Sequence, residues 1–273
     1  MNKEKKVNVL FIGDVFGAPG VKCLQDNLKE LIDKYDIDFV IAQSENVSSR
    51  KGLTQEDYLK MKEAGVNAFT LGNHVWAKKD ILSIINNEDV IRPLNIQSSY
   101  AGHGTQVFAL ENDITIRVTS FMGITFNQLL APWGEEYANN FFDVFDELEK
   151  YGQSSDFHII DFHGETTSEK NVFGLYVDGK VHALLGTHTH VQTNDAHVLP
   201  NGTCYITDAG MCGPFNAAIG ANFEEVYRKM RYGDYIKFKV SSNPVQLNGV
   251  VLQLSTNKQN NKIFPINIFP NNK

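Results

Sequence analysis

Two histidines separated by a single residue, His188 and His190, follow an apolar run at 181–185. Alternate residues of a β-strand point to the same face, so this segment can present two imidazoles to one site. Imidazole is the commonest side-chain ligand for transition metals. Pairs of this kind also occur on loops that bind nothing. The prediction of a metal site therefore depends on matching residues elsewhere in the chain.

Further polar residues occupy the same position relative to other apolar runs. Short runs at 7–12, 38–42, 68–72 and 157–162 predict buried parallel strands. The residues that follow these strands and the run at 181–185 are Asp14, Glu45, Asn46, Asn73, His74, His163, His188 and His190. Ligands of α/β sheets bind beyond the carboxyl ends of the strands. We therefore expect these side chains to meet at one rim, although they are far apart in sequence.

The segments between these runs predict an α/β protein. Three helices and three antiparallel strand pairs are predicted, the helices at 20–35, 54–65 and 139–150 and the pairs at 106–121, 198–206 and 235–254. Thr54 and Asp57 resemble a capping box at the start of the second helix. No repeats or flexible linkers occur, so we expect one domain over residues 1–273.

Composition restricts the classes of partner and the location. The net charge of −7 argues against binding to long nucleic acids, which depends on many Lys and Arg contacts. Three cysteines without a Cys-x-x-Cys pair fit reduced thiols. No run approaches the roughly 18 apolar residues of a membrane span, and none forms a signal-peptide core. These features predict a cytoplasmic protein without a membrane partner.

The candidate ligands comprise two carboxylates, two amides and several imidazoles, with no thiolate. This mixture suits Mn, Fe, Zn or Co better than Ca, Mg or a structural zinc bound by cysteines. The set is also larger than one ion needs. Two metals about 3.5–4 Å apart would use all of it and could activate water and stabilise charge on a phosphoryl group. The residues thus predict a metal-dependent hydrolase.

The order of these motifs resembles that of the calcineurin-like metallophosphoesterases. The shared motifs are Gly13-Asp14, Gly72-Asn73-His74, the isolated His163 and Gly186-Thr187-His188-Thr189-His190. Finer features look like the YmdB-like branch, namely the segments at 13–17, 45–46, 161–170 and 207–211. The resemblance spans nearly the whole chain.

This resemblance implies a four-layer α/β/β/α sandwich with two transition-metal ions at the rim of its sheets. Glu45 would bridge the metals, and His74 would act as general acid or stabilise the transition state. The other ligands implied are Asp14, Asn46 and His190 for one ion and Asn73, His163 and His188 for the other. Phe16 stands where the wider superfamily has a histidine, and Glu45 replaces the usual aspartate. We expect Fe or Mn first, with Zn as an alternative.

The reaction implied is hydrolysis of 2′,3′-cyclic nucleotides to 3′-nucleotides by attack of a metal-bound hydroxide. Activity on 3′,5′-cyclic nucleotides is a second specificity to consider. The alternatives are a phosphomonoesterase or RNA-end phosphatase, and a metal-containing regulatory protein with incidental turnover. A metal-dependent amidohydrolase barrel is disfavoured, because its His-x-His pair normally follows the first strand. The expected partner is a small cyclic nucleotide or phosphate ester. The sequence does not decide whether the chain forms a homo-oligomer.

Several other polar residues have roles that the sequence leaves undecided. Asp161, Thr189 and Asp208 sit beside ligands and either orient them or make ordinary loop hydrogen bonds. A basic and aromatic segment at 227–232 suggests nucleic-acid binding, but an exposed helix face is the favoured interpretation. Structural or solvent-facing roles are expected for the remaining histidines, His103, His158, His182 and His197.

Overall fold

The computed structural model of the protein describes residues 4–270, which form two mixed β-sheets and five α-helices. The helices are α1 (Gly17–Tyr35), α2 (Gln55–Ala64), α3 (Phe141–Tyr151), α4 (Thr167–Val177) and α5 (Phe223–Tyr232). Short 3-10 helices occur at Lys79–Ser83, Glu111–Asp113 and Lys258–Asn260. None of the helices within residues 4–270 has the length and apolar character that crossing a membrane requires.

The first sheet has eight strands, in the order β2-β12-β13-β1-β3-β4-β5 with β14 also paired to β13. Its strands are β1 (Lys6–Ile12), β2 (Asp14–Val15), β3 (Phe39–Gln43), β4 (Ala68–Thr70), β5 (Val90–Ile91), β12 (Met211–Pro214), β13 (Val245–Ser255) and β14 (Lys262–Ile268). Strands β1, β3, β4 and β5 are parallel, whereas β13 is antiparallel to β1, with Lys6 opposite Ser255.

The second sheet has six strands, in the order β10-β11-β9-β8-β7-β6. Its strands are β6 (Thr105–Ala109), β7 (Thr115–Met122), β8 (Phe157–His163), β9 (Ala183–Thr187), β10 (His197–Val198) and β11 (Cys204–Ile206). The four central strands β7, β8, β9 and β11 are parallel, and the strands at both edges are antiparallel to their neighbours.

The alternation of side chains along β1 explains how the sheets are packed. Val9 and Phe11 belong to an apolar cluster that also contains Val118 and Ile159 of the second sheet. Leu10, on the opposite face, packs with residues of α1 and α2. A third apolar cluster joins α3 and α4 to β8 and β9. Because alternate strand residues point to opposite faces, β1 is buried on both sides and reads as a continuous apolar run.

Most predicted elements are confirmed. The five apolar runs that we took as strands are strands, and the pairs at 106–121 and 198–206 are antiparallel as expected. Thr54 caps α2 by accepting a hydrogen bond from the Asp57 amide, and the helix ends at Gly65 with φ of 115°. Gly65 lacks a Cβ and so adopts this left-handed conformation at little cost.

Three predictions of local structure were wrong. Residues 235–254 do not form two strands, because only β13 (Val245–Ser255) is one and its partners are β1, β12 and β14. Helix α4 (Thr167–Val177) was not predicted, since its apolar stripe is short and interrupted by polar residues. Helix α1 begins at Gly17 rather than at Gly20, so the expected turn is the first turn of the helix.

Candidate metal centre

The predicted ligands lie at the carboxyl ends of five strands drawn from both sheets. Asp14 begins β2 directly after β1, Glu45 and Asn46 follow β3, and Asn73 and His74 follow β4. His163 ends β8, and His188 and His190 follow β9. The contacts described below bring all eight side chains together at one rim.

One group of donors converges on the imidazole of His163. Its Nε2 lies 3.1 Å from Glu45 Oε1, 3.1 Å from Asn73 Oδ1 and 2.9 Å from His188 Nδ1. A ring nitrogen carries either one proton or one lone pair, so it cannot bond all three neighbours. His163 is fully buried, and ligand atoms of Glu45, His163 and His188 lie within 4.8 Å of one another. Oxygen and nitrogen donors gathered in this way fit a transition-metal cation.

A second group of donors converges on the side-chain amide of Asn46. Its Nδ2 lies 3.3 Å from Asp14 Oδ1, 3.4 Å from Glu45 Oε1 and 3.2 Å from His190 Nε2. A half-turn of the amide places its oxygen at this point, where carboxylate, amide and imidazole donors would surround a second cation. The donor set therefore fits two metals rather than one.

Glu45 belongs to both groups, and its buried carboxylate contacts several histidines. Burial opposes its ionisation, but the charges of His163 and His74 outweigh burial and hold the pKa of Glu45 well below its ordinary value. Burial also disfavours charge on His163, yet Glu45 raises the pKa of that imidazole to about 9. The carboxylate is thus ionised at neutral pH, as a metal-bridging ligand must be.

Gly72 lets these donors approach one another. A Cβ atom at this position would collide with the ring of His163 and with the carboxylate of Glu45. Gly72 immediately precedes Asn73, so the glycine of the Gly-Asn-His motif makes room for donors that come from two sheets.

His188 and His190 reach the centre by a route that the sequence prediction missed. They do not lie on a strand, since β9 ends at Thr187, and their φ angles are 98° and 64°. A positive φ is uncommon for residues other than glycine, although histidine adopts it more often than most. His188 Nε2 lies 2.8 Å from Glu165 Oε2, and His190 Nδ1 lies 2.9 Å from the Ile219 carbonyl. These contacts orient the opposite ring nitrogens towards the centre.

A buried ion pair lies directly beneath this loop. Lys170 Nζ is 2.9 Å from Asp208 Oδ2 and donates a hydrogen bond to the Thr187 carbonyl at 2.8 Å. Asp208 Oδ2 accepts hydrogen bonds from Thr189 N at 3.0 Å and Thr189 Oγ1 at 2.8 Å. The pair thereby holds the residues on both sides of His188. Lys170 was not singled out from the sequence, although it closes the 161–170 motif.

A second set of contacts holds the imidazole of His163 through its other ring nitrogen. Thr187 Oγ1 donates to Asp161 Oδ1 at 2.7 Å and lies 2.9 Å from His163 Nδ1. Gln43 Nε2 is 3.1 Å from the same ring nitrogen. Burial raises the pKa of Asp161 to about 7. These contacts leave His163 Nε2 as the ring atom that faces the donor group.

His74 lies at the boundary between two clefts. It belongs neither to the Lys170–Asp208 ion pair nor to the contacts that hold His163. Its Nδ1 is 3.0 Å from Glu45 Oε1 and 2.9 Å from Asn46 Oδ1, and about a quarter of its side chain is exposed. One cleft has a volume of about 490 Å³ and is also lined by His188 and His190. The other has a volume of about 280 Å³ and is also lined by Asn73. His74 is therefore open to a molecule bound in either cleft.

Phe16 occupies the position where the wider superfamily has a histidine. Its ring contacts that of His190 edge to face, with centroids 5.4 Å apart, and it is buried. The aromatic ring supplies packing but no ligand, whereas the Asn46 amide faces Asp14 and His190. The geometry is thus consistent with an amide in place of the missing imidazole.

Comparisons with known proteins agree with this arrangement. The family model described as "YmdB-like protein" matches residues 10–266. A Bacillus subtilis protein named 2′,3′-cyclic-nucleotide 2′-phosphodiesterase is 36% identical over 250 residues, covering 91% of each chain. A crystal structure described as a novel phosphatase, from Mycoplasma pneumoniae, superposes with a TM-score of 0.89 at 41% identity, covering 97% of this chain and 94% of that one.

A more distant structure shares the fold alone. The NAD nucleotidase of Haemophilus influenzae gives a TM-score of 0.58 at 12% identity, covering 97% of this chain and 55% of that one. The family match extends over nearly the whole sequence and includes every residue of the metal centre. The chain therefore belongs to the YmdB-like family.

Proposed function

We propose that the protein is a dimetal phosphodiesterase that hydrolyses 2′,3′-cyclic nucleotides to 3′-nucleotides. The observation that carries the proposal is the position of Glu45, whose carboxylate belongs to two separate donor groups. A carboxylate shared in this way suits a pair of adjacent cations. The name of the B. subtilis relative supports the substrate class, and family membership supports a hydrolase.

The two donor groups define which residues would hold each ion. Asp14, Asn46 and His190 would hold one, Asn73, His163 and His188 would hold the other, and Glu45 would bridge them. Fe or Mn is proposed first and Zn second, because the set contains no thiolate. When bound, the ions supply activation of a water molecule and neutralise charge on the phosphate oxygens.

The chain itself supplies the proton for the leaving group. His74 Nδ1 lies 3.0 Å from Glu45 Oε1, which leaves Nε2 as the ring atom available to substrate. A water molecule attacks phosphorus and releases a proton to solvent, the bond from phosphorus to the ribose 2′-oxygen breaks, and His74 donates a proton to that oxygen. The Glu45 carboxylate, 3.0 Å from Nδ1, fixes the orientation of the ring for this step.

The proposal also includes the layer architecture of the fold and a second class of substrate. We propose that the two sheets and the helices packed on them form a four-layer α/β/β/α sandwich, and that the chain is one domain over residues 1–273; the apolar clusters on both faces of β1 support this proposal. Cyclic 3′,5′-nucleotides are a second candidate substrate, since the donor groups would bind the phosphate of either ester.

The test combines metal analysis of the purified protein with identification of the product from 2′,3′-cyclic AMP. We expect two metals per chain and 3′-AMP as the product. Parallel assays with 3′,5′-cyclic AMP, 3′-AMP and RNA carrying a 3′-phosphate distinguish the alternatives. Absence of metal after reconstitution with Mn or Fe, or turnover of phosphomonoesters alone, would contradict the proposal.

A further inference from the structure

The larger of the two clefts beside His74 has an apolar wall that no other part of residues 4–270 covers. Its volume of about 490 Å³ exceeds what a phosphate group needs and lies within the range of small-ligand sites. Ile219 and Met230, on this wall, are 56% and 83% exposed. We propose that the cleft binds the nucleobase of the substrate, an inference that rests on the proposed function.

The cleft is continuous with the metal centre. Glu45, His188 and His190 line it, so a molecule whose phosphate is held by the donor groups can extend directly into this cleft. The second cleft contains only Asn73 and His74 from the centre. A ribose 2′,3′-cyclic phosphate held at the centre therefore has more room for its base on the side of the larger cleft.

The wall of the cleft is built by the loop before α5, by α5 itself and by the segment after it. Ile219 has φ of 47°, a strained conformation for a β-branched residue. Its carbonyl contacts His190, while its side chain lines the cleft. Hydrogen bonds from Asn222 N to the Lys239 carbonyl and from Ser241 N to the Gly220 carbonyl join the two segments. The wall is therefore fixed to the centre through His190.

The polar edge of the cleft is provided by Arg50. Its guanidinium lies over the Phe238 ring, 5.3 Å from the centroid, and both side chains are partly buried. Within residues 4–270 the guanidinium has neither a carboxylate partner nor a hydrogen-bond acceptor. A nucleobase combines an apolar face with acceptor atoms on its edge. Ile219 and Met230 suit the face by packing, and Arg50 suits the acceptors as a donor. Phe238 lines the same cleft and holds two cations against its ring, Arg50 and Lys229, each 5.3 Å from the centroid.

The experiment compares 2′,3′-cyclic AMP with ribose 2′,3′-cyclic phosphate, which has no base. We expect the wild-type protein to favour the nucleotide in kcat/KM by about tenfold or more, as expected for stacking of one base. Phe238→Ala and Arg50→Met should each lower this preference about tenfold, whereas Phe238→Tyr should retain it. Calorimetric titration with adenosine gives a second readout, and Phe238→Ala should weaken adenosine binding by a similar factor.

Leu130→Ala is the matched control, because Leu130 is 71% exposed and lines the smaller cleft. It should leave the preference unchanged. A change with Leu130→Ala but not with Phe238→Ala would overturn the assignment, as would equal turnover of the two substrates by the wild type. If Met230→Ala changes the oligomeric state but leaves the preference for the nucleotide unchanged, the wall is a contact surface for a second copy of the chain. That result would also overturn the assignment of the cleft to the nucleobase. If neither substrate is hydrolysed, the proposed function fails, and the adenosine titration decides the cleft separately.

Discussion

The ammonium group of Lys170 lies 2.9 Å from the Asp208 carboxylate, and both side chains are buried beneath the loop that carries His188. Removal of one member of such a pair leaves an uncompensated charge in a medium of low polarity. Since Asp208 also accepts hydrogen bonds from Thr189, the pair connects the stability of the fold to the position of a candidate metal ligand.

Lys170→Met should lower the free energy of unfolding by about 3–5 kcal/mol. The measurement is urea unfolding of the metal-free protein. The control is Lys29→Met, because Lys29 pairs with Asp33 at the same 2.9 Å but at the exposed surface of α1. Lys29→Met should lower the free energy of unfolding by no more than about 1 kcal/mol. Equal losses for the two variants would contradict a special role for the buried pair.

The same variant should also bind metal more weakly, because the loop around His188 loses two supports. Metal content after dialysis against a graded series of chelator concentrations measures this effect. A Lys170→Met protein that is destabilised but binds both metals as tightly as the wild type would show that the pair stabilises only the fold.

His74→Asn should keep both metals and reduce kcat for 2′,3′-cyclic AMP by about 10²–10⁴-fold, the usual contribution of general acid catalysis. Asparagine retains a hydrogen-bonding group near Glu45 but donates no proton to a leaving oxygen. His197→Asn is the control, since His197 is exposed on β10 outside the centre. Full activity of the His74 variant would exclude the general-acid role.

Glu45→Gln should lose metal as well as activity, because a neutral amide replaces the charged group shared by both donor sets. Metal per chain, measured by elemental analysis, is the primary readout. Glu165→Gln provides a matched comparison, since Glu165 contacts His188 but belongs to neither donor group. We expect it to weaken binding by about 10–100-fold while both sites stay functional. Unchanged metal content in Glu45→Gln would refute the bridging role.

His182 should make the fold sensitive to acid. Burial lowers the pKa of His182 to about 3, so the unfolded chain binds a proton below about pH 6.5 that the folded chain does not. Stability is therefore unaffected above pH 6.5 and falls by about 1.4 kcal/mol per pH unit as the pH drops towards 3.

His182→Asn tests this sign. His182 Nδ1 accepts a hydrogen bond from His158 N, and an asparagine oxygen preserves that acceptor without titrating. Urea unfolding of metal-free protein between pH 4 and 7 should show a shallower loss of stability for the variant than for the wild type. Parallel curves for the two proteins would mean that His182 does not contribute.

The sequence was sufficient to predict where the donors meet. Each of Asp14, Glu45, Asn73 and His163 stands at the end of an apolar run, and parallel strands place such ends at one rim. That inference needs only the alternation of buried strands and polar residues, both of which are local properties. The hairpin at 106–121 was predictable for the same reason, since its strands are adjacent in sequence.

Long-range contacts explain what the sequence did not predict. The left-handed backbone at His188 and His190 depends on Asp208 and Lys170, which no local pattern connects to the loop. The cleft wall around Ile219 involves hydrogen bonds that join Gly220 and Asn222 to residues 239–241, which belong to the 235–254 segment where two strands were wrongly expected. In both places tertiary contacts override local propensity.

The antiparallel pairing of β1 with β13 has a consequence for the order in which the parts of the fold form during synthesis. During synthesis every ligand from Asp14 to His190 emerges before β13, so one edge of β1 stays unpaired until Val245–Ser255 has been made. Closing so long a loop makes folding slow, and an unpaired central strand is prone to aggregation meanwhile. A nascent chain therefore presents all of the candidate ligands before the first sheet that positions Asp14, Glu45 and Asn73 is complete.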